Sequence, residues 1–346
     1  MANFQIEGEI YFLRERSLTN GELSPVVKIG LVNSAKKRDS FERLSDHQTG
    51  NPRRLELREG WIVKTLNVNA VESLLHHKFA EQRVRGEWFE VSSYEEFQNY
   101  IREANKLADE MSDIRPVFEN VESLSIMVSN GEKIAASESA TSLAHLASLH
   151  WKKKSKMAEI LKGIKAEIIS ALAGGVDLGK DTKKTSHSRQ NFDEIRFRRE
   201  QAELYEEFAI SYIKSTFNYT TFRNKVNTSD DSSSELFEVS LKEISRSIEE
   251  SRNDGDLIRL IEIRKLADSI HRYHEWEMEK YEARLKIICG KNLGIEGIVT
   301  WKRNKEYKLD KIRFETEYPE LAAGYTTTSE ISRLVVAKGR LDISGA

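Results

Sequence analysis

The chain has 346 residues, of which 39% are hydrophobic and 32% charged, and its 54 basic and 56 acidic side chains leave a formal charge of −2. That length has room for two or three domains, and the charge balance excludes a uniformly basic nucleic-acid coat while leaving local phosphate-binding patches open. One cysteine, Cys289, excludes an internal disulfide and a multi-cysteine zinc site; with no basic-then-apolar leader and no apolar run near ~18 residues, the expectation is a cytoplasmic protein with no membrane span.

Taken in chain order, Glu9–Leu13 (EIYFL) and Val26–Val32 (VVKIGLV) read as strands joined by the turn-rich TNGELSP. A helical pattern over Ser34–Asp46 leads into the turn QTGNP and a third strand over Leu55–Lys64. A helix over Asn69–Gln82, the strand-like GEWFEV and a short helix over Tyr94–Leu107 follow. Together they predict a small α+β domain over residues 1–105, a three-stranded antiparallel sheet flanked by helices. Beyond it, amphipathic runs at Ser139–Leu172, Glu194–Lys214, Glu235–Ser251 and Asp256–Cys289 predict a mostly α-helical region, with Val226–Glu235 as an exposed linker.

That region contains a repeat. FDEIRFRREQAELYEEF, Phe192–Phe208, lies over LDKIRFETEYPELAAGY, Leu309–Tyr325, with seven identities in seventeen positions. Upstream, LASLHWKKKSKMAEILKGIKAEII and LADSIHRYHEWEMEKYEARLKII align with one gap, so each copy reads as a long helix, a loop or hairpin, and a second helix. The corresponding division is a connector over 106–142, a first repeat unit over 143–225, a linker and helix over 226–262, and a second repeat unit over 263–346.

Strand alternation places Tyr11 opposite in facing to Ile10 and Phe12, and Lys28 with Gly30 opposite in facing to Val27, Ile29 and Leu31. If the apolar faces pack on a helix, a phenol and an ammonium share the other face, with Gly30 leaving space for a bulky ligand. Arg43 and His47 lie four apart on the next helix, and Glu72 and His76 repeat that spacing on the following one. This set suits a phosphodiester: a deprotonable group activates water, Arg gives the phosphate two donors, and a carboxylate holds a hard cation.

The order Ile10-Tyr11-Phe12, Lys28-Ile29-Gly30, Arg43 and His47 running into QTGNP, Glu72 with Leu75, His76 and Phe79, then GEWF at Gly86–Phe89, resembles the GIY-YIG endonuclease superfamily. It is nearest the branch of phage and bacterial defence proteins in which KIG replaces YIG, and it covers residues 8–91. The resemblance implies that Tyr11 is a general base or orients water, that Arg43 stabilises the phosphate, and that Lys28 stands in for the second tyrosine. Glu72 would ligate one Mg²⁺ or Mn²⁺, and His47 matches a histidine that several relatives carry. Two departures are EIY in the first tripeptide and Val71 beside the glutamate. His76 reads either as catalytic or as a satisfied core histidine, and Asn51 as turn chemistry or a phosphate contact.

Lys36, Lys37, Arg38, Arg53 and Arg54 flank this set as candidate substrate-phosphate contacts. Between Lys152 and Arg189 ten basic residues face four acidic ones, so Lys152, Lys153, Lys154, Lys156, Lys183 and Lys184 form either a DNA-tracking patch or a solvated helix face. Thr300–Leu321 with Ser332–Val336 is similar to the tail segment of YqaJ-type phage recombination exonucleases; that family's catalytic acids have no counterpart, so the likeness implies a duplicated nucleic-acid-associated scaffold and no activity. The expected function is a metal-dependent DNA endonuclease of anti-phage defence or restriction, or of a phage or mobile element, with DNA as partner and self-association through the helical region. A nuclease fold that has lost turnover and serves in nucleic-acid binding or assembly is the alternative.

Overall fold

The computed structural model describes residues 7–36, 38–49, 53–173, 182–227, 234–254, 257–336 and 339–342. They form an α+β protein in two compact units, the first built from Met1–Val121, Ser137–Lys162 and Thr221–Ile288, the second from Glu122–Ala136, Gly163–Thr220 and Cys289–Ala346. Among the described residues no helix is long and apolar enough to cross a membrane.

In the first unit β1 (Gly8–Arg16) and β2 (Leu23–Asn33) pair antiparallel with Tyr11 opposite Gly30 and Leu13 opposite Lys28. Helix α1 (Ser40–Gln48) starts at Asp39, whose side chain accepts from Glu42 N while Glu42 reaches back to the Asp39 N–H, a capping box. This cap, rather than the apolar pattern, sets the helix start later than the expected Ser34. Ser40, fully buried, donates from N and Oγ to Glu9 and so ties α1 to β1.

The expected third strand is broken by a short turn into β3 (Arg54–Glu56) and β4 (Ile62–Thr65), both paired with β1. Helix α2 (Val68–Lys78) is capped by Asn67 and packs on β1 and β2. A hairpin of β5 (Arg83–Arg85) and β6 (Trp88–Glu90) adds to β2, giving six strands where three were expected. Helix α3 (Tyr94–Ser125) runs well past the expected end at Leu107, because Ala108, Met111, Ile114 and Val121 continue its buried stripe. Phe12, Trp61, Phe89, Phe97 and Tyr100 supply the aromatic centre of the core, with Trp61 edge-on to Phe97 at 4.9 Å.

Four elements continue the chain toward the repeat: β7 (Lys133–Ile134), α4 (Glu138–Ala173), β8 (Thr182–Phe192) and α5 (Glu194–Glu200). The expected single helix over Glu194–Lys214 divides into α5, α6 (Ala202–Glu207) and a strand, β9 (Ala209–Asn218). After α7 (Thr220–Arg223) come α8 (Ser234–Asp254) and α9 (Leu257–Cys289), both close to their expected bounds. The residues 228–233 of the expected linker lie outside the described residues.

The second unit closes with β10 (Gly294–Ile295), β11 (Val299–Leu309), α10 (Lys311–Glu317), α11 (Pro319–Gly324), β12 (Thr326–Val336) and β13 (Gly339–Asp342). The two repeat copies pack on one another: β8 pairs with β12 and β9 with β11, so both strands of the first copy pair with a strand of the second. Asp193 caps α5 and Asp310 caps α10 in the same way. The Asp193 N–H donates to Tyr325 O and the Asp310 N–H to Phe208 O, both at 2.8 Å. Arg196 lies over Tyr325 and Arg313 over Phe208, while Phe197 and Phe314 meet at 4.5 Å in the shared core.

Candidate functional site

Tyr11 projects from β1 across Gly30 of β2. A Cβ on Gly30 would lie 2.4 Å from the phenol oxygen, so the space this glycine leaves is filled by the Tyr11 ring, not by a ligand as the sequence suggested. The Tyr11 Oη stands 3.0 Å from His47 Nε2 on α1. Burial pushes the phenol well above its ordinary value, Glu87 and Glu72 push it further, and Arg43 opposes them. A tyrosine so placed keeps its proton near neutrality, and the His47 tautomer decides which of the two donates in their hydrogen bond. Arg43, one turn before His47, also pairs with Asp46 at 3.3 Å.

Lys28 is 4% exposed, and its Nζ pairs with the Glu87 carboxylate. The intruder in the apolar strand therefore has a counter-charge within the protein, and no phosphate is needed to explain its burial. Glu87 was read from the sequence only as part of a closing strand; its role depends on a partner 59 residues away, which no local pattern announces. Glu72, half-buried on α2, lies close enough for its charge to act on both Tyr11 and Arg83.

Arg83 is a second group that sequence reasoning missed. Burial lowers its pKa, and Glu262, Glu87 and Glu72 oppose that shift. It donates to Gly86 O at 3.0 Å and to His76 O at 3.2 Å. His76 is buried against Phe89, and its Nε2 donates to Ile29 O at 3.3 Å. Burial holds its imidazole down to about 3, so it is neutral. Of the two roles read for His76, this geometry is that of the satisfied core histidine that locks α2 to β2.

Tyr11, Lys28, Arg43, His47, Glu72 and Glu87 thus converge from β1, β2, α1, α2 and the β5–β6 turn. The flanking basic residues are more dispersed: Arg38 pairs with Asp46 at 3.1 Å, Arg53 with Glu15 at 3.4 Å, and Arg54 is exposed on β3. Lys37 and Asn51 lie outside the described residues, as do the side chains of Lys36, Lys183 and Lys184. The expected basic face of α4 is not open: Lys152 donates to Val226 O, Lys153 is buried against the Phe237 ring, and Lys154 pairs with Glu275 at 2.9 Å. Helix packing takes these three side chains inward, and only Lys156 of that run is exposed.

A hard cation fits this set in a limited way. Among the described residues no three His, Cys, Asp or Glu side chains group to hold a metal. A single carboxylate such as Glu72 is the kind of oxygen donor that suits Mg²⁺, which keeps most of its waters, and not the N/S donor set of zinc.

Searches among curated proteins and among solved structures give no match. At the level of domain families, residues 8–112 match the T5orf172 domain, which is found in nuclease-like proteins of phages and bacteria.

Proposed function

We propose that residues 8–112 are a divalent-metal-dependent DNA endonuclease of the GIY-YIG kind, acting in the cytoplasm in anti-phage defence or restriction. The observation that carries this reading is the Tyr11 phenol, hydrogen-bonded to His47 and reached by the charges of Arg43, Glu72 and Glu87 from separate elements. Because the phenol is held protonated, Tyr11 orients the attacking water and passes a proton toward His47 rather than serving as a standing phenolate. Arg43 offers two donors to the phosphate oxygens. Lys28 keeps the Glu87 carboxylate fixed beside the reacting group, and Glu72 would hold Mg²⁺ or Mn²⁺, which when bound neutralises phosphate charge.

Plasmid nicking with Mg²⁺ tests it. Tyr11→Phe and Glu72→Gln are expected to lower the rate by about 10²–10⁴-fold with the fold intact by circular dichroism; wild-type cleavage in Tyr11→Phe would overturn the assignment. A second reading has one observation behind it: Tyr11 is only 2% exposed, as a silent nucleic-acid-binding protein would also allow. DNA retention without nicking in any metal would favour that reading.

A further inference from the structure

The turn between β5 and β6 is held from outside the nuclease-like domain. Gly86 has φ +59, in the left-handed region, and its N–H donates to Glu262 Oε2 of α9 at 3.0 Å across 176 residues of sequence. The other Glu262 oxygen is 3.3 Å from Lys265 Nζ. On its far side the turn is fixed to the sheet: Ile29 N–H donates to Glu87 O at 2.9 Å, and Arg83 bridges Gly86 O to His76 O. The backbone of residues 86 and 87 is therefore clamped between α9 and β2. Helix α9 touches the domain a second time, stacking Tyr273 on His77 at 4.4 Å near the end of α2, the helix that carries Glu72.

We infer that Glu262 is a positioning residue for the candidate site: it holds the Gly86 turn so that Glu87 meets Lys28 and faces Tyr11, which makes helix α9 part of the site's framework. Its catalytic consequence rests on the nuclease reading, whereas the contact itself does not. Two arms separate them. Hydrogen exchange read by NMR is expected to rise at least about 10-fold at the Gly86 and Ile29 amides in Glu262→Ala, with Phe12 of the central strand still protected, and to stay near wild type in Glu262→Gln, whose amide oxygen still accepts the bond. Unchanged exchange at Gly86 and Ile29 in Glu262→Ala overturns the inference.

In the cleavage arm Glu262→Ala is expected to lower kcat about 10- to 100-fold with KM for DNA little changed, and Glu262→Gln to recover most of it. If Glu262 acts through Glu87, the two changes are not additive: in a Glu87→Gln background, Glu262→Ala costs less than about twofold more. Fully additive losses, or a rise in KM alone, contradict a positioning role. A wild-type chain that cuts no DNA removes the nuclease reading and the catalytic half of this inference, while the exchange arm still decides the contact.

Discussion

The two units bury charge in different ways. In the first, Lys28 of β2 is buried against a carboxylate, Glu87, that also acts on the Tyr11 phenol. In the second, Arg303 is fully buried but gives its guanidinium to the backbone carbonyls of Leu124 and Asn292 and lies over Trp301. The carbonyls take Arg303 Nη1 and Nη2, leave its buried Nε without a hydrogen bond among the described residues, and bring no second titratable charge, whereas a carboxylate partner creates a pair whose balance a third group can change. The unit that holds the strands and short helices of the duplicated copies has paired, aromatic packing, while the unit with the nuclease-like domain has an asymmetric cluster of titratable groups. The contrast separates packing from chemistry more clearly than burial does.

The largest effect is expected where the paired copies concentrate the packing. Phe314→Ala removes one half of the Phe197–Phe314 contact and should cost about 3–5 kcal/mol, read as a fall in the urea midpoint, with loss of order in both repeat copies at once. If only α10 and α11 loosen while α5 and α6 keep their exchange protection, the copies are independent. Next is Lys28→Met, which leaves Glu87 facing a methionine and should destabilise by about 1–3 kcal/mol. The double change Lys28→Met with Glu87→Leu should recover most of that loss in the same urea titration. A single change that costs nothing would show that the pair is not held in solution.

The smallest effect is a dependence on pH. Burial holds His76 down to about 3 and His77 to about 4, both below the ordinary 6.5. The unfolded chain takes up protons first as pH falls, so the stability these neutral rings contribute above pH 6.5 is lost from there down to about pH 4 for His77 and about pH 3 for His76. His77→Phe keeps a ring on Tyr273 without a titrating nitrogen, and should lessen the loss between pH 6.5 and 5 by roughly 1 kcal/mol. An identical pH profile in the variant would show that His77 titrates in the fold as it does in the unfolded chain. No such limb is expected from the aromatic centre formed by Phe197 and Phe314.

The sequence carried the parts that depend on short spacing. Alternation in EIYFL and VVKIGLV located β1 and β2 and put Tyr11 and Lys28 on one face, and the 117-residue offset found the repeat that the paired caps Asp193 and Asp310 display. It missed β9, because AISYIKSTFN follows a true helix without a Gly or Pro to mark the change and has no clean alternation of apolar and polar residues. Glu87, Arg83 and Glu262 were not legible because each acquires its meaning from a partner far along the chain. Lys152, Lys153 and Lys154 looked like a surface patch because charge alone does not show which way a helix turns.

The exchange of strands between repeat copies has a consequence for how the chain is made. Strands β1 and β2 meet their partners within the first hundred residues synthesised, but Phe192 must wait for Thr326, and Ala209 for Leu309. Until then the first copy leaves the ribosome with two long unpaired strand edges, the kind of surface that invites pairing with another chain. A nascent chain halted before β11 should hold a folded amino-terminal sheet and a sticky, unpaired first repeat copy, so synthesis of the last strands is the step at which assembly becomes safe.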